Sequence, residues 1–134
     1  MSRARTVCRH ESGHALVAHV LGGQVQQIHV WFDDRGVLHG RTLSALPPTL
    51  DAMAEATIEM AGFAATPDRW PLDDAARATA LVGPDRIREA ADRAARLLAG
   101  HDAALDALVE ALLDTDTGAL DGPAATALLR AAVA

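Results

Sequence analysis

The sequence predicts an α+β fold that is predominantly α, in which a small β-hairpin or sheet packs with a helical bundle. Most of the chain consists of helix-forming segments with apolar residues at helical spacing. One stretch, residues 25–43, is instead rich in β-forming residues on both sides of a turn. Half of the 134 residues are apolar and 22% are charged, a composition typical of a globular domain.

Glycines, prolines and capping residues divide the chain into elements. The first helix is predicted from Arg3 to Leu21, where Gly22 and Gly23 end it. Two strands flank the turn residues 33–36 and form the hairpin. Thr49 or Asp51 caps the second helix, which extends to about Ala65. Further helices are predicted at 72–82, 84–99, 101–113 and 123–133, with a polar loop at 114–122.

Charge and cysteine content exclude several classes of protein. The net charge is −6, which argues against a nucleic-acid-binding surface because such surfaces are built from clustered cations. A single cysteine, Cys8, excludes an internal disulfide framework and is expected to be a small buried thiol. No apolar run reaches the roughly 18 residues of a membrane span. We therefore expect a soluble cytoplasmic protein without membrane insertion.

The first predicted helix contains the motif His10-Glu11-Ser12-Gly13-His14. Residues four apart lie on the same face of a helix, so the two imidazoles can reach one zinc ion at about 2.0–2.1 Å. Glu11 points beside that face and is placed to accept a proton from a zinc-bound water. The pattern predicts a catalytic zinc site with His10 and His14 as ligands and Glu11 as the general base.

A catalytic zinc ion needs a third protein ligand and keeps its fourth position for water. His19 lies five residues after His14 and turns away from the metal face. The other histidines lie in the hairpin or late in the chain. The acidic candidates, among which spacing alone does not choose, are Glu55, Glu59, Asp73 and Asp74.

Several segments around this motif match those of one known family. Residues 9–17, RHESGHALV, are similar to the HEAGHALV signature of the peptidase domain of FtsH-type zinc metalloproteases. Residues 35–42 fit that family's RGxxxGxT strand, residues 60–65 resemble its LGGRAAEE helix, and residues 73–79 resemble its NDLxxAT segment. Residues 95–129 are similar to its closing helices, with a weaker match. The resemblance thus covers nearly the whole chain.

The resemblance implies a third ligand and a domain organisation. In that family the aspartate of NDLxxAT binds the zinc, which places this role on Asp74, with Asp73 as the fallback. It also implies a single metallopeptidase domain over residues 1–134, with a catalytic core at 1–82 and a C-terminal helical part at 83–134. The acids of LGGRAAEE fall on Thr66 and Pro67, so support of the site from those positions is expected to be lost.

The predicted activity is hydrolysis of peptide bonds in peptides or unfolded protein segments, with Zn²⁺ as the cofactor. We expect neither an ATPase domain nor a membrane segment, so the candidate partners are a peptide or unfolded protein substrate and a separate ATPase or adaptor that hands chains over. An oligomer is compatible with the sequence. Two alternatives remain open. One is a zinc hydrolase acting on a small amide or modified peptide. The other is a non-catalytic zinc-containing module that binds a partner.

Two residues outside the motif are expected to lie near the site. His39 belongs to the candidate edge strand and lines a substrate groove or faces solvent, since an extended peptide can add to such an edge. Trp70 is expected to pack as an anchor or to cover the site from its loop.

Overall fold

A computed structural model describes residues 2–133 of the chain. Six α-helices and a three-stranded antiparallel sheet form in these residues, which confirms the predominantly helical α+β class. In chain order the elements are α1 (Arg3–Val20), β1 (Gln24–Phe32), β2 (Leu38–Ala45), α2 (Ala52–Ala65), α3 (Leu72–Val82), a 3₁₀ turn (Pro84–Arg86), α4 (Ile87–Leu98), α5 (Asp102–Asp114), β3 (Ala119–Asp121) and α6 (Gly122–Val133).

Capping side chains fix where the first two helices begin. The Ser2 hydroxyl accepts a hydrogen bond from the backbone N–H of Arg5 at 3.1 Å. The Asp51 carboxylate accepts one from the N–H of Ala54 at 2.8 Å, so Asp51 caps α2. Each cap provides an acceptor for one of the backbone donors that a helix leaves free at its N-terminus.

The third strand was not predicted, and the expectation of a polar loop at 114–122 is wrong in part. β3 pairs with β1, with Leu120 opposite Ile28. Just before β3, the carbonyl of Gly118 accepts a hydrogen bond from the N–H of Val30 at 2.9 Å. Gly118 has a φ of +71°, and a Cβ there would lie 2.1 Å from the Val30 carbonyl oxygen, so only glycine fits. β1 is therefore the central strand, and β2 lies at an edge of the sheet.

The helix α1 lies at the centre of the fold. It contacts the strands β1 and β2 and the helices α2, α4 and α5. Its residues Leu16 and Val17 belong to the main core, together with Ile28 of β1 and Leu108 of α5. A second apolar cluster, which includes Met60, joins α2, α3 and α4. Because α1 is held from several directions, its side chains have well-defined positions.

Alanine supplies much of the helix packing. Ala56, Ala61, Ala78, Ala90 and Ala94 are fully buried. Small side chains allow helix axes to approach closely, which compensates for the scarcity of aromatic residues. Cys8 is also buried, as expected, and burial raises the pKa of its thiol. In the part of the chain described, no helix combines the length and hydropathy needed to cross a membrane.

Candidate metal centre

Three side chains from two helices bring one ligand atom each to a common point. The Nε2 atoms of His10 and His14 lie 3.2 Å apart. The Oδ2 atom of Asp74 lies 2.9 Å from the first and 3.1 Å from the second. His14 and Asp74 are buried and His10 is half-buried. The three form a group that can hold a metal ion.

The two helices place these ligands in different ways. His10 and His14 are one turn apart on α1, and their rings meet edge to face with centroids 4.9 Å apart. Asp74 is the third residue of α3. The backbones of α3 and α1 make few contacts with each other, whereas α2 packs against both helices. The position of Asp74 relative to the histidines therefore depends on the packing of α2.

Hydrogen bonds to the remote ring nitrogens orient both histidines. The Nδ1–H of His14 donates to the Ile58 carbonyl at 2.7 Å. The Nδ1 of His10 lies 3.3 Å from the Thr66 hydroxyl oxygen, and that hydroxyl donates to the Gly62 carbonyl at 2.8 Å. With its own proton given to Gly62, the Thr66 oxygen acts as an acceptor for His10. Both Nε2 atoms are thereby directed toward Asp74, an arrangement common around metal-binding histidines.

Two glycines allow α1 and α2 to approach closely enough for this geometry. A Cβ at Gly62 would lie 2.4 Å from the Cε1 and Nε2 atoms of His10. A Cβ at Gly13 would lie 2.7 Å from the Ala61 carbonyl oxygen. The imidazole of His10 thus occupies the space that a side chain at Gly62 would take.

The second oxygen of Asp74 is held by an arginine. The Oδ1 atom contacts the guanidinium of Arg77, one helical turn further along α3. Arg77 also donates to the Glu59 carboxylate at 2.8 Å, and this hydrogen bond raises the pKa of the guanidinium. Asp74 thus has one oxygen directed at the histidines and the other at a cation.

The charges of the centre shift the pKa values of its members in opposite directions. Burial opposes ionisation of Asp74, but hydrogen bonds from His10 and His14 outweigh it and hold the pKa of that carboxyl well below its usual range. Burial also opposes the charged form of His14. Its hydrogen bond with Asp74, assisted by the charge of Glu11, outweighs burial and raises the pKa of His14 to about 9. Without a metal, a proton shared by the ring and the carboxylate thus stabilises the group.

Glu11 is buried beside the ligand group and does not belong to it. The Thr42 hydroxyl, on β2, lies 2.9 Å from the Oε1 atom and 2.9 Å from the backbone carbonyl oxygen of Glu11. The Oε2 atom lies beside Gly40, where a Cβ would approach it to 2.8 Å. The edge strand therefore fixes this carboxylate by one hydrogen bond and one close approach.

The centre opens into a cleft of about 850 Å³. Residues of the edge strand β2 and of the segment 69–74 line this cleft. Trp70 lies in that segment, is half exposed, and meets Phe63 edge to face at 5.2 Å between centroids. His39 lines the cleft too, but its Nε2 pairs with the Asp33 carboxylate at 2.8 Å.

The structure separates the acidic residues that spacing left equivalent. Asp74 joins the two histidines, whereas its neighbour Asp73 is exposed. Glu59 pairs with Arg77. Glu55 and His19 lie outside the ligand group.

Sequence reasoning missed the residues that support the ligands. The expectation that support from Thr66 is lost is wrong, because its hydroxyl contacts His10. The sequence signal for this contact was the polar residue Thr66 directly after the second helix. Arg77 gave a further signal, since it lies three residues after Asp74, a spacing at which helical side chains meet.

Neither a comparison with models of known protein families nor one with curated protein sequences finds a match to this chain.

Proposed function

We propose that the chain is a zinc-dependent metallopeptidase, similar to the FtsH-type peptidase domain, that hydrolyses peptide bonds in peptides or unfolded protein segments. The observation that carries the proposal is the convergence of His10, His14 and Asp74 beside a buried Glu11 in an open cleft. Two imidazoles and one carboxylate are the donor set of several catalytic zinc sites.

The ligand distances fit a tetrahedral zinc ion. Bonds of about 2.0–2.1 Å in a tetrahedron give ligand–ligand distances of about 3.3–3.4 Å. The three distances between the ligand atoms are 2.9, 3.1 and 3.2 Å, so the group needs only a slight expansion. A bound zinc ion would supply Lewis acidity, lowering the pKa of a coordinated water to near 7 and polarising a substrate carbonyl.

Glu11 would act as the proton acceptor and donor of the reaction. Thr42 holds the Oε1 atom, which leaves Oε2 to take a proton from the attacking water and to return it to the leaving amine. The carboxylate cannot turn away freely, because Gly40 of the edge strand lies against it. A fixed base of this kind contributes about 10²–10⁴-fold to the rate.

The cleft supports a peptide substrate. β2 is an edge strand, and its residues line the cleft beside the ligands. An extended chain can pair with such an edge through its backbone, so binding does not depend on one particular side chain. Folded proteins do not offer an extended segment, which favours peptides and unfolded segments as substrates.

The number of ligands favours a catalytic over a structural site. A structural zinc site is closed by four protein ligands. Among residues 2–133, the metal-binding group contains three, and no fourth histidine, cysteine or acid joins it.

The test is Glu11→Gln, with Glu89→Gln as the control. Glu89 is half exposed on α4 and does not line the cleft. We expect Glu11→Gln to retain the zinc content of the wild type and to lose at least about 100-fold in hydrolysis of unfolded casein. The control is expected to keep both. A Glu11→Gln variant that remains active would show that this carboxylate is not the base and would refute the mechanism.

A further inference from the structure

We infer that Arg77 is a positioning residue that restricts Asp74 to binding the metal through Oδ2 alone. The inference rests on the zinc site of the proposed function and deepens it. It concerns the outer oxygen of Asp74, the atom on the far side of the carboxylate from the histidines.

The two carboxylate oxygens of Asp74 face different partners. Oδ2 lies 2.9 Å and 3.1 Å from the two imidazole nitrogens. Oδ1 contacts the Arg77 guanidinium. To bind a metal with both oxygens, Asp74 would have to rotate and give up its contact with Arg77.

Arg77 is itself held in place. Its Nε donates to Glu59 on α2 at 2.8 Å, while the contact with Asp74 uses a terminal nitrogen. A planar guanidinium can serve two carboxylates at once because its donors point in fixed, different directions. Glu59 therefore anchors the cation that holds Asp74.

The two side chains of the Asp74–Arg77 ion pair differ in their exposure to solvent. The side chain of Asp74 is 10% exposed, whereas that of Arg77 is 57% exposed. An exposed ion pair contributes little to folding stability because water screens it. The effect of Arg77 is therefore expected on the geometry of the buried carboxylate rather than on the fold.

Single-oxygen binding matters for the reaction. Catalytic zinc sites combine three protein ligands with one open position for water. A carboxylate that binds through both oxygens would occupy an additional position and crowd that opening. By holding Oδ1, Arg77 keeps the coordination number of the protein ligands at three.

The experiment loads the protein with Co²⁺ and compares Arg77→Ala with Arg86→Ala. Arg86 is a matched control, because its side chain is 55% exposed and it pairs with Glu89 at the i,i+3 spacing, away from the cleft. Alanine is the best helix former, so the fold is expected to persist. Visible absorption of Co²⁺ is strong in four-coordinate sites and weakens as the coordination number rises, so it reports the ligand geometry.

We expect Arg77→Ala to lose visible absorbance per bound Co²⁺, while the wild type and Arg86→Ala share one spectrum. An unchanged spectrum in Arg77→Ala overturns the inference. Weaker Co²⁺ binding with an unchanged spectrum also overturns it, because Arg77 would then only stabilise its surroundings. A wild-type protein that binds no Co²⁺ overturns the metal site itself, whereas Co²⁺ binding without peptidase activity refutes only the proposed reaction.

Discussion

Replacing Gly62 by alanine would place a methyl group against the His10 ring. The added Cβ would lie 2.4 Å from the Cε1 and Nε2 atoms of that ring. Carbon atoms in ordinary contact are about 3.5–4.0 Å apart, so the ring must shift by about 1 Å. Metal–ligand distances tolerate changes of only about 0.2 Å. We therefore expect the Nε2 atom of His10 to be lost as a ligand.

The expected magnitude differs between the metal site and the fold. Loss of one of three ligands is expected to weaken zinc binding at least 100-fold, or about 2.8 kcal/mol. The metal-free protein is expected to change by less than about 1 kcal/mol. Alanine in a helix gains about 0.5–1 kcal/mol over glycine, and moving the ring off its rotamer costs about 0.5–1.5 kcal/mol. The side chain of His10 is 22% exposed toward the cleft, so it has room to yield.

Urea unfolding with and without zinc measures both the zinc affinity and the free energy of unfolding of the metal-free protein. At a free zinc concentration 100 times the wild-type Kd, the wild type gains about 2.7 kcal/mol in the free energy of unfolding. A variant that binds 100-fold more weakly gains only about 0.4 kcal/mol under the same conditions.

Gly40→Ala adds the same methyl group beside Glu11 instead of beside His10. Its Cβ would lie 2.7 Å from the Cγ atom of Glu11, and the three atoms nearest to it belong to Glu11 and Val7 rather than to His10, His14 or Asp74. We expect this variant to keep the zinc-dependent stabilisation and to lose hydrolysis. Zinc binding of Gly62→Ala at the wild-type affinity would refute the argument that the space beside His10 is required.

Three further predictions concern the ligands and their protons. Asp74→Ala is expected to bind much less zinc per chain than the wild type. Asp73→Ala is expected to bind as much as the wild type, because Asp73 is exposed and lies outside the ligand group. The reverse order would overturn the ligand assignment. Thr66→Val removes the hydroxyl beside His10. We expect it to weaken zinc binding about 10–100-fold in a competition titration with a chelator. An unchanged zinc affinity would show that this contact is unimportant. The raised pKa of His14, about 9 against 6.5, stabilises the metal-free protein fully below pH 6.5, and this contribution is lost as the pH rises through 9. Zinc must displace the same proton, so zinc affinity is expected to rise about tenfold per pH unit between pH 6.5 and 9; a flat profile in calorimetric titrations would contradict this.

Local sequence patterns were sufficient to predict α1 and the positions of His10 and His14 on it. His10 and His14 lie four residues apart on one helix, so the geometry of that pair follows from helical periodicity alone. The hairpin and the other helices were predicted for the same reason, because apolar spacing and turn residues are local signals. β3 was missed because its three residues are defined by pairing with Ile28 and its neighbours, about 90 positions earlier in the chain.

The sequence by itself was sufficient for the fold class and for placing His10, Glu11 and His14 together on one helix. Spacing left open which acidic residue meets those histidines, the resemblance pointed to Asp74, and the tertiary structure brings Asp74 to them. Asp74 lies 60 residues beyond His14, and its position depends on how α2 packs against both α1 and α3. The supporting contacts of Thr66 and Arg77 depend on the same packing, because hydrogen bonds across helices require distances that no sequence spacing fixes.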